Sequence, residues 1–149
     1  MSTRRKMFAG LAAMAAGAVA AIRPSQAAVD STSVPKVVYH LSDADKVGFV
    51  LGNIDNHFKG MGGADKVHIA LVVHGPALLA FRPGHADAQL TRHFAAVAAQ
   101  GVDLGACGNT LDAQQLTVAD LLPGFTRIGE GGVVRLARLQ AQGYAYLRP

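Results

Sequence analysis

The run Lys66-Val-His-Ile-Ala-Leu-Val-Val-His74 constrains this chain more than any other segment. It is apolar on successive residues, not alternate ones, and Gly75-Pro76 stops it. A strand of that kind is buried on both faces, which is the condition of a central strand in a parallel sheet with helices above and below. Similar but shorter strands are expected at Lys36–Leu41, Gly101–Cys107, Phe125–Ile128 and Tyr144–Leu147. Helical periodicity separates them. Val47, Val50, Leu51, Ile54 and Phe58 recur at intervals of three and four after Ser42, which reads as an N-cap, and Gly60 to Gly63 closes that helix. Residues 87–100 form a second helix with Leu90, Phe94 and Val97 inward, residues 109–122 a third and residues 131–142 a fourth. The segment 77–81 reads as a short extended piece. Strands alternating with helices predict an α/β fold: a three-layer, flavodoxin-like domain on a mostly parallel five-stranded sheet.

The first residues have a different character. Thr3-Arg-Arg-Lys-Met-Phe8 places two arginines ahead of an Ala/Gly-rich apolar stretch, and Ser25 and Ala27 suit cleavage after Ala27. Residues 1–27 are therefore expected to be an export signal of the twin-arginine type, residues 28–35 a polar tether, and residues 36–149 the domain. The apolar stretch is short and weakly apolar for a membrane span, so no stable membrane insertion is expected after cleavage. The expected location is the periplasm. Arg4, Arg5, Lys6 and Arg23 fall in the signal, which leaves ten basic against ten acidic residues in the remainder. No basic surface is left for nucleic acid, so nucleic-acid binding is not expected.

Right-handed crossovers in a parallel sheet bring all the strand carboxyl ends to one rim, where ligands bind. His40, His74 and Cys107 each fall at or near such an end. Cys107 is the sole cysteine, so no internal disulfide is possible. It precedes Gly108, which lets the chain turn, and Asn109, which suits a helix cap. The amides of Gly108, Asn109 and Thr110 would then face the sulfur and favour its thiolate. The alternative is a buried thiol acting as a small hydrophobe. A mixed set of Cys107, His74 and His40 would suit zinc or copper, but no CxxC, HxH or HExxH spacing supports it, and no metal is assigned. Gly60–Gly63 and Gly129–Gly132 form neither GxGxxG nor a Walker loop, so no nucleotide or other cofactor is expected.

Val72-Val-His-Gly75, Ala106-Cys-Gly-Asn-Thr-Leu111 and the tail Gly143-Tyr-Ala-Tyr-Leu147 resemble the DsrE/DsrF-like sulfur-relay family, over nearly all of residues 36–149. The resemblance implies a flavodoxin-like sheet, assembly as a homo-oligomer (trimer or hexamer), and a cysteine at position 107 that carries sulfane sulfur as a persulfide. It implies sulfur donor and acceptor proteins, or small sulfur compounds, as partners. From their places at the strand ends and the helix start, His74, His40, Gly108 and Asn109 are the expected binding residues around Cys107. Familiar members work in the cytoplasm, so an export signal separates this chain from their partners. The contrasting expectation is an oligomeric binding subunit with a metal or small ligand at the rim and an inert Cys107. Oligomerisation is also expected because Leu121-Leu122 and Ala77–Phe81 would form exposed apolar patches on a monomer.

Overall fold

A computed structural model describes residues 33–149; the proposed export signal and the first part of the tether lie outside the described residues. Five strands form one sheet: β1 (Lys36–Leu41), β2 (His68–Val73), β3 (Asp103–Cys107), β4 (Thr126–Ile128) and β5 (Ala145–Leu147). Their order is β4-β3-β2-β1-β5 and every pairing is parallel. Four helices connect them: α1 (Val47–Met61), α2 (Ala88–Ala99), α3 (Gly108–Ala113) and α4 (Gly132–Ala141). None of the described helices is long and apolar enough to cross a membrane.

The topology sets the layers. From β1 to β4 the chain steps one way across the sheet, and from β4 to β5 it returns past β1. Crossovers of constant hand must therefore put α4 on the face opposite α1 and α2. The core divides accordingly. Val50, Leu51, Ile54 and Phe58 of α1 and Phe94 and Val97 of α2 pack with Leu71, Val73 and Leu104 on one face. Leu136 and Leu139 of α4 cover Val38, Ala70, Val72 and Ile128 on the other. As its apolar run requires, β2 is buried on both sides, at 0–4% exposure from Ile69 to Val73. The first helix ends where its glycines dictate. Gly62 takes the left-handed conformation at φ 90°, and the amide of Gly63 bonds back to the carbonyl of Phe58 at 2.9 Å.

Four local expectations are corrected. Ser42 is not a helix cap: a 3₁₀ turn over Ala44–Lys46 precedes α1, and its N-cap position is Asp43. Ser42 is held at the rim instead, where its hydroxyl accepts from Arg148 at 3.0 Å and its carbonyl from the Ala77 amide at 3.1 Å. Residues 77–81 are not extended but belong to a 3₁₀ helix, Gly75–Phe81, started by Pro76. The helix expected over residues 109–122 ends at Ala113. Gln115 adopts φ 55°, and the Asp120 carboxylate accepts from both the amide and the hydroxyl of Thr117 at 2.8 Å, starting a separate 3₁₀ turn over Val118–Asp120. Finally, Ala77, Leu78, Phe81, Leu121 and Leu122 are all buried within this one chain. Phe81 packs on Phe94 and Phe125 with ring centres 5.1 Å away. Those stretches therefore give no reason for oligomerisation. Of those stretches only Leu79 is exposed, at 37%, and the most open apolar side chains lie elsewhere, Val133 at 71% and Phe49 at 58%.

Candidate functional site

The parallel register brings the expected residues to one rim. Leu41 pairs with Val73 and Val73 with Ala106, so the strand ends carrying His40, His74 and Cys107 lie side by side. The amide of His74 bonds the Leu41 carbonyl at 3.0 Å, extending the ladder one residue past β2.

Cys107 is the last residue of β3 and also the N-cap of α3, so the helix cap falls to Cys107 and not to Asn109. A second helix approaches the sulfur from the opposite side. The amide of Gly132, the first residue of α4, donates to Cys107 Sγ at 3.1 Å. A β-carbon at Gly132 would lie 3.3 Å from Cys107 Cβ, 3.4 Å from Val72 Cγ1 and 3.5 Å from His74 Cβ. A side chain there would press on Cys107, so glycine eases the close approach of the α4 backbone. The same distances make Cys107 and His74 neighbours across Gly132. Burial pushes the Cys107 thiol up. The Gly132 amide, the Thr110 hydroxyl and the amides of Thr110 and Asn109 hold it down, and the balance leaves it below its ordinary value.

Gly108 and Asn109 act through space rather than through a turn or a cap. A β-carbon at Gly108 would sit 2.6 Å from the Ile128 carbonyl oxygen and 3.2 Å from the Arg127 guanidinium, so glycine is needed for α3 to start against β4. The Asn109 side chain fills the space beside Gly131, where a β-carbon would lie 2.7 Å from its amide nitrogen. Gly131 adopts φ 90° as the N-cap of α4. Asn109 is thus packed against the residue that begins α4. The thiol is more enclosed than an accessible nucleophile would be, with Cys107 only 6% exposed.

His40 and His74 meet edge to edge. Their Nε2 atoms are in hydrogen-bond contact, with ring centres 4.7 Å apart and ring planes 20° apart. The other ring nitrogen of His40, Nδ1, bonds the Tyr146 hydroxyl at 2.5 Å. Burial, then the neighbouring His74, then Arg148 lower the His40 pKa to about 4, against a smaller upward pull from Asp43. Burial and then Arg148 lower His74 as well, and Asp43 again opposes. Both rings are therefore neutral at pH 7. Cys107 does not join them as a ligand. Among the described residues, no group of three His, Cys, Asp or Glu side chains converges as a metal site, so the mixed Cys107–His74–His40 set is not formed.

Four contributors escape a reading of the sequence: Gly132, the Thr110 hydroxyl, Tyr146 and Arg148. The Gly131-Gly132 pair carries a signal, because two glycines opening a helix mark a close backbone approach. Nothing in the sequence says what is approached. Tyr146 and Arg148 lie in and just after β5, whose place beside β1 is known only once the sheet order is known.

Comparison with solved structures finds the same architecture elsewhere. A protein of unknown function from Methanobacterium thermoautotrophicum, MTH1491, is 29% identical at TM-score 0.67, over 77% of this chain and 99% of its own. The ychN protein of E. coli (16% identical, TM-score 0.58, covering 77% and 99%) and BT1422 of Bacteroides thetaiotaomicron (15%, 0.56, covering 76% and 94%) share the fold. No curated protein matches the chain. With Cys107 at the carboxyl end of β3 and residues 36–149 matching throughout, the chain belongs to the DsrE/DsrF-like family, a family of sulfur-relay proteins.

Proposed function

We propose that this chain is a sulfur carrier that cycles Cys107 between thiol and persulfide. The Cys107 thiolate attacks the outer sulfur of a persulfide or polysulfide donor, R–S–S⁻. A new S–S bond forms, the donor S–S bond breaks, and R–S⁻ leaves with the bonding pair, giving Cys107–S–S⁻. An acceptor thiolate or other nucleophile then takes the terminal sulfur and returns the Cys107 thiolate. Neither step needs an external oxidant or reductant. The observation that carries this reading is the placement of Sγ between two helix starts, with the Gly132 amide at 3.1 Å and the Asn109 and Thr110 groups favouring the anion. Such a cradle suits the Cys107 thiolate before loading, which is the form that attacks the donor and is returned when the terminal sulfur leaves. An inert core thiol has no use for it. His74, set against Gly132, and His40 behind it would line the approach for the incoming donor.

The rate of alkylation of Cys107 in the folded protein tests the nucleophile. Its pH profile should give an apparent pKa below the ordinary thiol value of about 8.5. A thiol labelled only after denaturation would rule out the proposed role.

Assembly into a homo-oligomer is part of the same reading. Val133 and Val134, next to the residue that bonds Cys107, are 71% and 43% exposed, and Tyr146 and Leu147 on the edge strand β5 are each 39% exposed. Light scattering at micromolar concentration should return a multiple of the single-chain mass, a trimer or hexamer; the mass of one chain would refute it. Export is the remaining element. The carrier is proposed to reach the periplasm through Arg4 and Arg5. Changing both to lysine should leave uncleaved precursor in the cytoplasm, and undiminished arrival in the periplasm would count against the twin-arginine route.

A further inference from the structure

We propose that His40 and His74 form a binding site for Cu(I), held between their two Nε2 atoms. The argument starts from the direction of the two rings. Each imidazole has one nitrogen able to ligate a metal when the other carries the proton. Here the two Nε2 atoms point at one another. The Tyr146 hydroxyl oxygen lies 2.5 Å from His40 Nδ1; with Nδ1–H donating to it, Nε2 is left unprotonated to ligate and the ring is held in orientation, as an outer partner does for a metal-binding histidine. The pair stands at the carboxyl ends of β1 and β2, adjacent strands of a parallel sheet, where such folds bind ligands.

The backbone behind His74 is fixed as well. The Gly75 amide donates to Thr110 Oγ1 at 3.0 Å and the Gly75 carbonyl accepts from Gln114 Nε2 at 3.1 Å. The main chain next to His74 is therefore anchored to α3 and its C-cap. A metal–nitrogen bond is about 2.0 Å, so a bridging ion holds the two nitrogens about 4 Å apart. The rings must part from hydrogen-bond contact by a small rotation, for which His74, the more exposed of the two, has the room that buried His40 lacks.

The number of ligands selects the ion. No third His, Cys, Asp or Glu joins the pair among the described residues. Zinc, which takes four ligands, is poorly served. Copper suits imidazole, and its monovalent form accepts two ligands in a line. Arg148, bonded to Ser42 and paired with Asp43 at 3.6 Å, and Asp43 itself are the charged groups facing the pair. Neutral histidines meet the ion without losing a proton. Any proton on His74 Nε2 has only to move to Nδ1, with no net release.

The two histidines border the Cys107 site, but the proposed ion needs no ligand from Cys107, so the Cys107→Ser variant tests the copper site apart from the sulfur-carrier reading. The test titrates full-length protein, under anaerobic reducing conditions, against Cu(I) as its bicinchoninate complex. We expect one Cu(I) withdrawn per chain by the wild type and by Cys107→Ser, and none by His40→Ala or His74→Ala. Tyr146→Phe keeps both ligands and should weaken binding about 10-fold. Circular dichroism checks each variant for folding. If a histidine variant unfolds, X-ray absorption of the wild-type complex decides, with two nitrogen neighbours at about 1.9–2.0 Å expected. Copper lost in Cys107→Ser, copper retained without both histidines, or a sulfur-dominated spectrum would each overturn the site.

Discussion

Metal-free protein should unfold at lower urea concentration at about pH 5 than at about pH 7.5, and the histidine pair should account for the difference. In the folded chain His40 titrates near pH 4 and His74 below its ordinary value, because burial and Arg148 disfavour their cations. In the unfolded chain both return to about 6.5. Between these values the unfolded state binds protons that the folded state refuses, so stability falls as pH drops below about 6.5 and stops falling near pH 4. Above pH 6.5 both states are neutral at these sites and the effect vanishes. A tenfold change in proton affinity corresponds to about 1.4 kcal/mol, so His40 alone should contribute on the order of 2 kcal/mol after partial screening by solvent. The double variant His40→Gln/His74→Gln should lose most of this pH dependence. A wild type equally stable at both pH values, or a double variant with the same slope, would show that the pair does not titrate in this way.

The layers and strand set were legible because burial writes itself directly into sequence. The run Ile69–Val73 has no polar face to offer solvent, and that alone places β2 at the centre of a covered sheet. The stripe Val47, Val50, Leu51, Ile54, Phe58 likewise gave α1 and its inner face. Legibility failed where two short-range preferences compete. Between Gly108 and Leu122 the apolar residues suit one helix, but Thr117 and Asp120 bond each other and begin a new turn. At residues 77–81 a brief apolar run fits strand or helix equally, and Pro76 decided for a 3₁₀ turn.

The site divides along the same line. Cys107, His74 and His40 were visible because they sit at strand ends, and strand ends share a rim. How they are used was not visible, because it depends on contacts across long stretches of sequence. Gly132 reaches Cys107 from 25 residues away and Tyr146 reaches His40 from 106. Those contacts set Cys107 against the start of α4 and His40 and His74 against each other.

Mass spectrometry of the protein after incubation with polysulfide tests the sulfur-carrier reading most directly. Thiolate attack on sulfane sulfur follows the course of thiol–disulfide exchange, so each sulfur acquired adds about 32 Da. Because Cys107 is the sole cysteine, no second thiol can accept the sulfur in its place. The wild type should gain one or more such increments, located by fragmentation to the peptide containing Cys107 and removed by a reducing thiol. Cys107→Ser should remain at its unmodified mass. Equal sulfur loading of the two proteins, or a wild type that gains no mass, would contradict the assignment of Cys107 as the carrier.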